Sequence, residues 1–302
     1  MNFADRLAEA CHAKKSCAAA GIDPQLDTEK SPGIPQGYTL SRFCCEIVEA
    51  CAPYVAVIKP QLAFFEARGL DGMRAFAEVI RFARRLDLLT IADAKRGDIG
   101  TTSAAYAEAF LGDGDFGCDA VTVNPYPGSD AIAPFVAKVR GGRGVFVLVK
   151  TSNPSSGEFQ DVHVLNAAGG TVWETVAARV RGWGDDFIGA SGLSPVGAVV
   201  GATYPAHARI ARDLMPNSYI LVPGYGTQGG SATDAVAAAR HDGSGIIVSA
   251  SRSLMYAYQS QRGVSPGEAS ARYAAQMRDA LNAALATKKR NSPQTHQDTT
   301  EK

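Results

Sequence analysis

The sequence predicts an α/β protein folded as a single-domain (β/α)8 TIM barrel. Three observations point there: eight short apolar runs recur along the chain, stretches of helical periodicity separate them, and charged residues sit at the C-terminal ends of several runs. The runs are 17–23, 54–60, 88–94, 119–124, 144–150, 197–203, 218–224 and 245–251. Near-continuous apolar runs mark strands buried on both faces, and helices between such strands make parallel βαβ crossovers. Eight such units close most economically into a barrel, with an open doubly wound sheet as the alternative.

The chain opens on MNFADRLAEACHAKK, an amphipathic helix with acids inside it rather than a basic leader followed by an apolar run. Further helices are expected at 38–51, 71–86, 162–181, 231–241 and 265–286. The segment 151–161, TSNPSSGEFQD, directly follows a strand and is rich in Ser, Pro and Gly, so it reads as a mobile loop at the C-terminal mouth, where barrels place their chemistry. The barrel domain therefore spans 1–286, and 287–302, polar and aperiodic, is expected to be a disordered tail.

Of the 302 residues 46% are hydrophobic and 20% charged, which excludes disordered and collagen-like classes. With 30 basic and 30 acidic residues the chain has no general attraction for nucleic acid or anionic membrane, and no run approaches 18 uninterrupted apolar residues. The expected partner is a small molecule. Six cysteines without a C-x-x-C pair lie mostly in apolar stretches, which suggests buried free thiols and a reducing, cytoplasmic setting.

Charges at the ends of apolar strands must be paired or face a polar cavity. Asp23, Lys59, Asp93, Lys95, Lys150 and Arg252 all occupy such ends. A single strand-end lysine is usually a snorkelling group, but a set spread over separate strands at one end of a barrel suggests a site. Asp93 and Lys95 are two apart and share a face, Asp98 falls on the turn beyond, and Lys59 can reach the same space. Alternating Lys59, Asp93, Lys95 and Asp98 would hold each ammonium between carboxylates; the bland alternative is an ion-pair network closing the barrel mouth. After the seventh strand, LVPGYGTQGG carries G-x-G-x-x-G at Gly224, Gly226 and Gly229. No acid follows at the end of the next strand, so a dinucleotide fingerprint is disfavoured against a barrel phosphate cradle, with Gln228 and Arg252 supplying side-chain contacts. The five histidines show no metal-ligand spacing. There is no G-x-S-x-G elbow, so Ser152 is better placed to hydrogen-bond a ligand than to attack one.

In chain order, GIDP (21–24), VIKP (57–60), DAKRGD (93–98) with IGTT (99–102), VTVNPYPGSD (121–130), VKTSNPSSG (149–157), VVGATYP (199–205), LVPGYGTQGG (221–230) and SASRSLMYA (249–257) resemble the orotidine 5'-phosphate decarboxylase family, and within it the longer bacterial, type 2 branch. The resemblance covers residues 1–286. It implies removal of CO2 from orotidine 5'-monophosphate (OMP) to give UMP, without cofactor or metal, by a homodimer with shared active sites. By the same resemblance Asp23 and Lys59 would contact ribose hydroxyls and Asp93 would lie beside the departing carboxylate. Lys95 would stabilise and protonate the C6 carbanion, and Asp98 and Thr102 would reach into the partner's site. Ser152 would bind the pyrimidine edge, and Gln228, Gly229 and Arg252 the phosphate. Asn124 and Lys150 belong to branch motifs without a firm role. Sister barrels that share D-x-K-x-x-D use Mg2+, with a glutamate ligand at the end of the second strand; here Lys59 stands in that place, a cation that would repel the metal. A non-catalytic nucleotide-binding barrel is the other alternative.

Overall fold

The computed structural model describes residues 1–28, 31–165, 170–202, 205–226 and 230–291. Eight parallel strands close into a barrel: β1 (Ala18–Ile22), β2 (Val57–Pro60), β3 (Leu89–Arg96), β4 (Ala120–Val123), β5 (Gly144–Lys150), β6 (Ser194–Val200), β7 (Ser218–Pro223) and β8 (Ile246–Ala250). Closure is direct, because β1 pairs with β2 through Gly21 and Lys59 and with β8 through Ala19 and Ser249. The open-sheet alternative is thereby excluded. Most strands are buried along their length, as unbroken apolar runs require.

The helices are α1 (Phe3–Lys14), α2 (Leu40–Cys51), α3 (Leu62–Glu66), α4 (Gly69–Arg85), α5 (Gly100–Leu111), α6 (Ser129–Ala137), α7 (Gly157–Gln160), α8 (Val172–Gly184), α9 (Pro205–Leu214), α10 (Ala232–Ala235), α11 (Arg252–Met255) and α12 (Pro266–Asn291). Asn2 caps α1 by accepting the Asp5 N–H, and the helix seals the N-terminal end of the barrel, where the Phe3 ring meets Phe146 edge-on at 6.0 Å. Gly144 is required there, since a Cβ would lie 2.2 Å from the Phe3 ring.

Three helical expectations change. The helix expected over 162–181 begins only at Val172, after Gly170 at φ +90°, where Thr171 and Glu174 form a reciprocal capping box. The helix expected over 231–241 is a single turn, α10. Beyond it the Lys288 ammonium takes the carbonyls of Val236, Ala237 and Ala239, and the Arg212 guanidinium takes that of Ala238, so cations stand in for most of the amides a continued helix would supply. Finally, α12 runs through Asn291, so residues 287–291, expected in the tail, are helical; 292–302 lie outside the described residues.

Candidate active site

Alternation along the strands sets the floor of the mouth. Ala19, Val57, Ile91, Ala120, Phe146, Tyr219 and Ile247 pack together inside the barrel. Two residues further along β2, β3, β4 and β8 come Lys59, Asp93, Thr122 and Ser249, which face a cavity of about 560 Å³. From β5, β6 and β7 the same floor receives Leu148, Val199 and Leu221. The polar half of the cavity is thus continuous with the core, and its size suits a nucleotide-like ligand.

Asp93 is its electrostatic centre. Lys59 Nζ lies 2.5 Å from Asp93 Oδ2, which also accepts from Gln61 Nε2 at 3.0 Å; Lys95 Nζ donates to Oδ1, as does the Thr122 hydroxyl at 3.0 Å. Burial opposes charge on Asp93, but the Lys59 and Lys95 ammonium groups outweigh it and hold the carboxyl below the usual carboxylate range. Burial likewise opposes charge on Lys59, yet Asp93 and Asp23 raise its pKa above the ordinary lysine value. Lys59 is buried, whereas the Lys95 side chain remains 42% exposed toward the mouth.

The local backbone delivers this geometry. β3 shifts register against β4 between Ala92 and Arg96, a bulge that spans Asp93 and Lys95 and places Lys95 in the left-handed region at φ +48°. Arg96 resumes the ladder, its carbonyl accepting the Asn124 N–H, and pairs with Glu66 at the end of α3.

Asp23 lines the cavity at the end of β1. Its Oδ1 is buried without a hydrogen-bond partner among the described residues, and burial raises its pKa despite the nearby Lys59. Gly21 leaves room for Ser251, whose Oγ would lie 2.0 Å from a Cβ at that position. Ser152 and the exposed Arg252 complete the rim. Gln228 and Gly229 lie outside the described residues.

One expectation about the charges changes. Asp98 does not join the array within one chain: its Oδ1 accepts the Ile99 N–H just before α5, away from the cavity. Thr102 is exposed on the first turn of α5, also outside it. Lys150 does not face the cavity either. Its side chain is 1% exposed and its Nζ donates to Asp161 Oδ1 at 2.7 Å, tying down the loop after β5. Asn124 turns away as well, its Oδ1 accepting the Tyr126 N–H. Gln61, Thr122, Ser249 and Ser251 were not singled out from sequence; strand alternation marks Thr122 and Ser249 as inward-facing, two residues beyond Ala120 and Ile247. Among the described residues no group of three or more His, Cys, Asp or Glu side chains is placed to hold a metal ion.

Residues 26–263 match the family described as "Orotidine 5'-phosphate decarboxylase / HUMPS family". The chain belongs to this family. It is 43% identical to an orotidine 5'-phosphate decarboxylase of Rhodopirellula baltica, over 86% of this chain and 90% of that one. It is 42% identical to the decarboxylase of Deinococcus radiodurans, over 94% and 98%. Among solved structures it resembles the OMP decarboxylase of Leishmania donovani with a TM-score of 0.75 at 33% identity, over 95% of this chain and 100% of that one. In this decarboxylase-family barrel, the floor around Asp93 is the place where substrate chemistry has both fixed charge and room.

Proposed function

We infer that this protein converts orotidine 5'-monophosphate to UMP and CO2, the reaction that gives its family its name and that completes pyrimidine nucleotide synthesis. The observation that carries this reading is the Lys59–Asp93–Lys95 array on the floor of a nucleotide-sized cavity. Breaking the C6–carboxylate bond leaves an electron pair localised at C6, with no ring position to delocalise it. The site must therefore offer a fixed cation and then a proton at that carbon. Lys95, exposed into the cavity yet tethered to Asp93, supplies both: its Nζ gives a proton to C6 and recovers one from water after product leaves. Asp93, kept ionised by its two lysines, faces the carboxylate that departs as CO2. In this reading Lys95 supplies the fixed cation beside the developing charge, and the step draws on neither metal nor cofactor.

Asp23 and Lys59 take ribose hydroxyls in this reading, and the unpartnered Asp23 Oδ1 suits a hydroxyl donor. Ser152 takes the pyrimidine edge, while Gln228, Gly229 and Arg252 take the phosphate, whose grip supplies binding energy far from the reacting carbon. Asp98 and Thr102, directed out of their own cavity, complete the site of a second copy, making the working unit a homodimer. The reading also places the enzyme in the cytoplasm; no helix among the described residues is long and apolar enough to cross a membrane. Product analysis tests the reaction: purified protein should release UMP and CO2 in equal amounts from OMP, and intact OMP after prolonged incubation would refute it.

A further inference from the structure

The β3 bulge poses a backbone problem that one side chain solves. Between Ala92, opposite Val121, and Arg96, opposite Val123, β3 has more residues than β4, so the amides inside the bulge lose their ladder partners. A buried backbone N–H without an acceptor is costly, and so is a non-glycine residue in the left-handed region, here Lys95 at φ +48°. The Lys95 N–H finds its acceptor in the Thr122 hydroxyl at 3.0 Å. The same hydroxyl sends its own proton to Asp93 Oδ1, also at 3.0 Å. Thr122 is 1% exposed, and both bonds are made by its hydroxyl. A single oxygen thus fixes the backbone that aims Lys95 and one face of the carboxylate that receives the Lys95 ammonium.

We propose that Thr122 is a positioning residue for Lys95, its hydroxyl holding the strained bulge and the Asp93 carboxylate in one geometry so that the Lys95 ammonium stands where the carbanion forms. The proposal rests on the reading of Lys95 as the proton donor. Serine can make both hydrogen bonds, and valine, of nearly the same shape, can make neither. A role confined to packing would favour valine over serine at this buried position; the positioning role demands the reverse.

The experiment compares Thr122→Ser, Thr122→Val and Lys95→Ala in steady-state OMP turnover, with UMP binding by calorimetry showing that each site is folded. Thr122→Val should lower kcat roughly 10- to 100-fold, the size expected for losing a hydrogen bond to a charged group, with KM changed by less than about threefold. Thr122→Ser should restore kcat to within about threefold of the parent. If the valine variant does not fold, Thr122→Ala takes its place against the serine variant. Turnover near the parental value without the hydroxyl, or a serine variant as slow as the valine one, would overturn the proposal. Lys95→Ala separates the two levels: if it keeps turnover the reading of Lys95 itself fails, whereas its inactivity beside a fully active Thr122→Val removes only Thr122.

Discussion

Asp93 carries four donors on two oxygens, and two of them are ammonium groups. Its stability linkage has a definite sign. A carboxyl whose folded pKa is depressed stabilises the fold fully above its unfolded value, about 3.9, and loses that contribution as pH falls from there through the folded value. Lys59, raised in the folded state, stabilises at all pH below the ordinary lysine value and loses its contribution only as pH rises through its folded one. Both shifts describe largely one interaction and are not counted twice. Asp93→Asn leaves two lysines facing one another and should destabilise the protein at neutral pH by roughly 3 kcal/mol. Thermal unfolding across acidic pH should show this gap narrowing below about pH 4, as the parental carboxyl takes up its proton. A gap that stays constant under strongly acidic conditions would show that the charge on Asp93 is not what the fold uses. From sequence, the inward face of Asp93 and the reach of Lys59 are legible because strand alternation sets them, whereas Lys95 joins them only through the bulge. Alternation ends at the bulge and Asp98 lies beyond it, so its place outside its own chain's cavity is not legible from strand periodicity.

At the scale of elements, the loop after β5 is tied at both ends. Lys150 binds Asp161, while the Thr151 N–H donates to Gln160 Oε1 at 3.0 Å and Gln160 Nε2 donates back to Thr151 Oγ1 at 2.8 Å. Thr151, Ser152 and Asn153, which line the cavity, hang from these ties. Ser152 also presses on Gly201 at the end of β6, where a Cβ would come within 2.8 Å of the Ser152 Cβ. Asp161→Asn weakens the tie to a buried ammonium and should lower kcat/KM roughly tenfold. Unchanged kinetics in that variant would mean that Ser152 is held without the ion pair. The sequence marks this segment as a loop at the mouth through its Ser, Pro and Gly content, but leaves Lys150 at the strand end without a role. A strand-end lysine can turn either way, and the acid that decides it lies eleven residues on in a loop of no periodicity. The shortened helix after Ser231 was illegible for a similar reason: the groups that take its carbonyls, Arg212 and Lys288, come from α9 and α12.

For the whole molecule, eight apolar runs sufficed for the barrel, because parallel strands buried on both faces leave few ways to close. What a single chain's sequence pattern does not contain is how two chains meet. Ile99, Thr101 and Thr102 are exposed at the start of α5, beside a carboxylate that faces away from its own cavity. If Asp98 serves a second copy, Lys95→Ala and Asp98→Ala proteins, each nearly inactive, should recover about a quarter of parental sites when dissociated and mixed in equal amounts, since half the dimers are mixed and each then has one intact site. No recovery on mixing would contradict a shared site.

In the proposed mechanism Lys95, fixed by Asp93, performs the decarboxylation without a metal. The most direct measurement is the loss of OMP ultraviolet absorbance on adding purified protein, with and without EDTA, beside Lys95→Ala checked for UMP binding. Loss that EDTA does not slow, and that the alanine variant lacks while still binding UMP, is the predicted result; loss that EDTA abolishes, or turnover that survives Lys95→Ala, would contradict it.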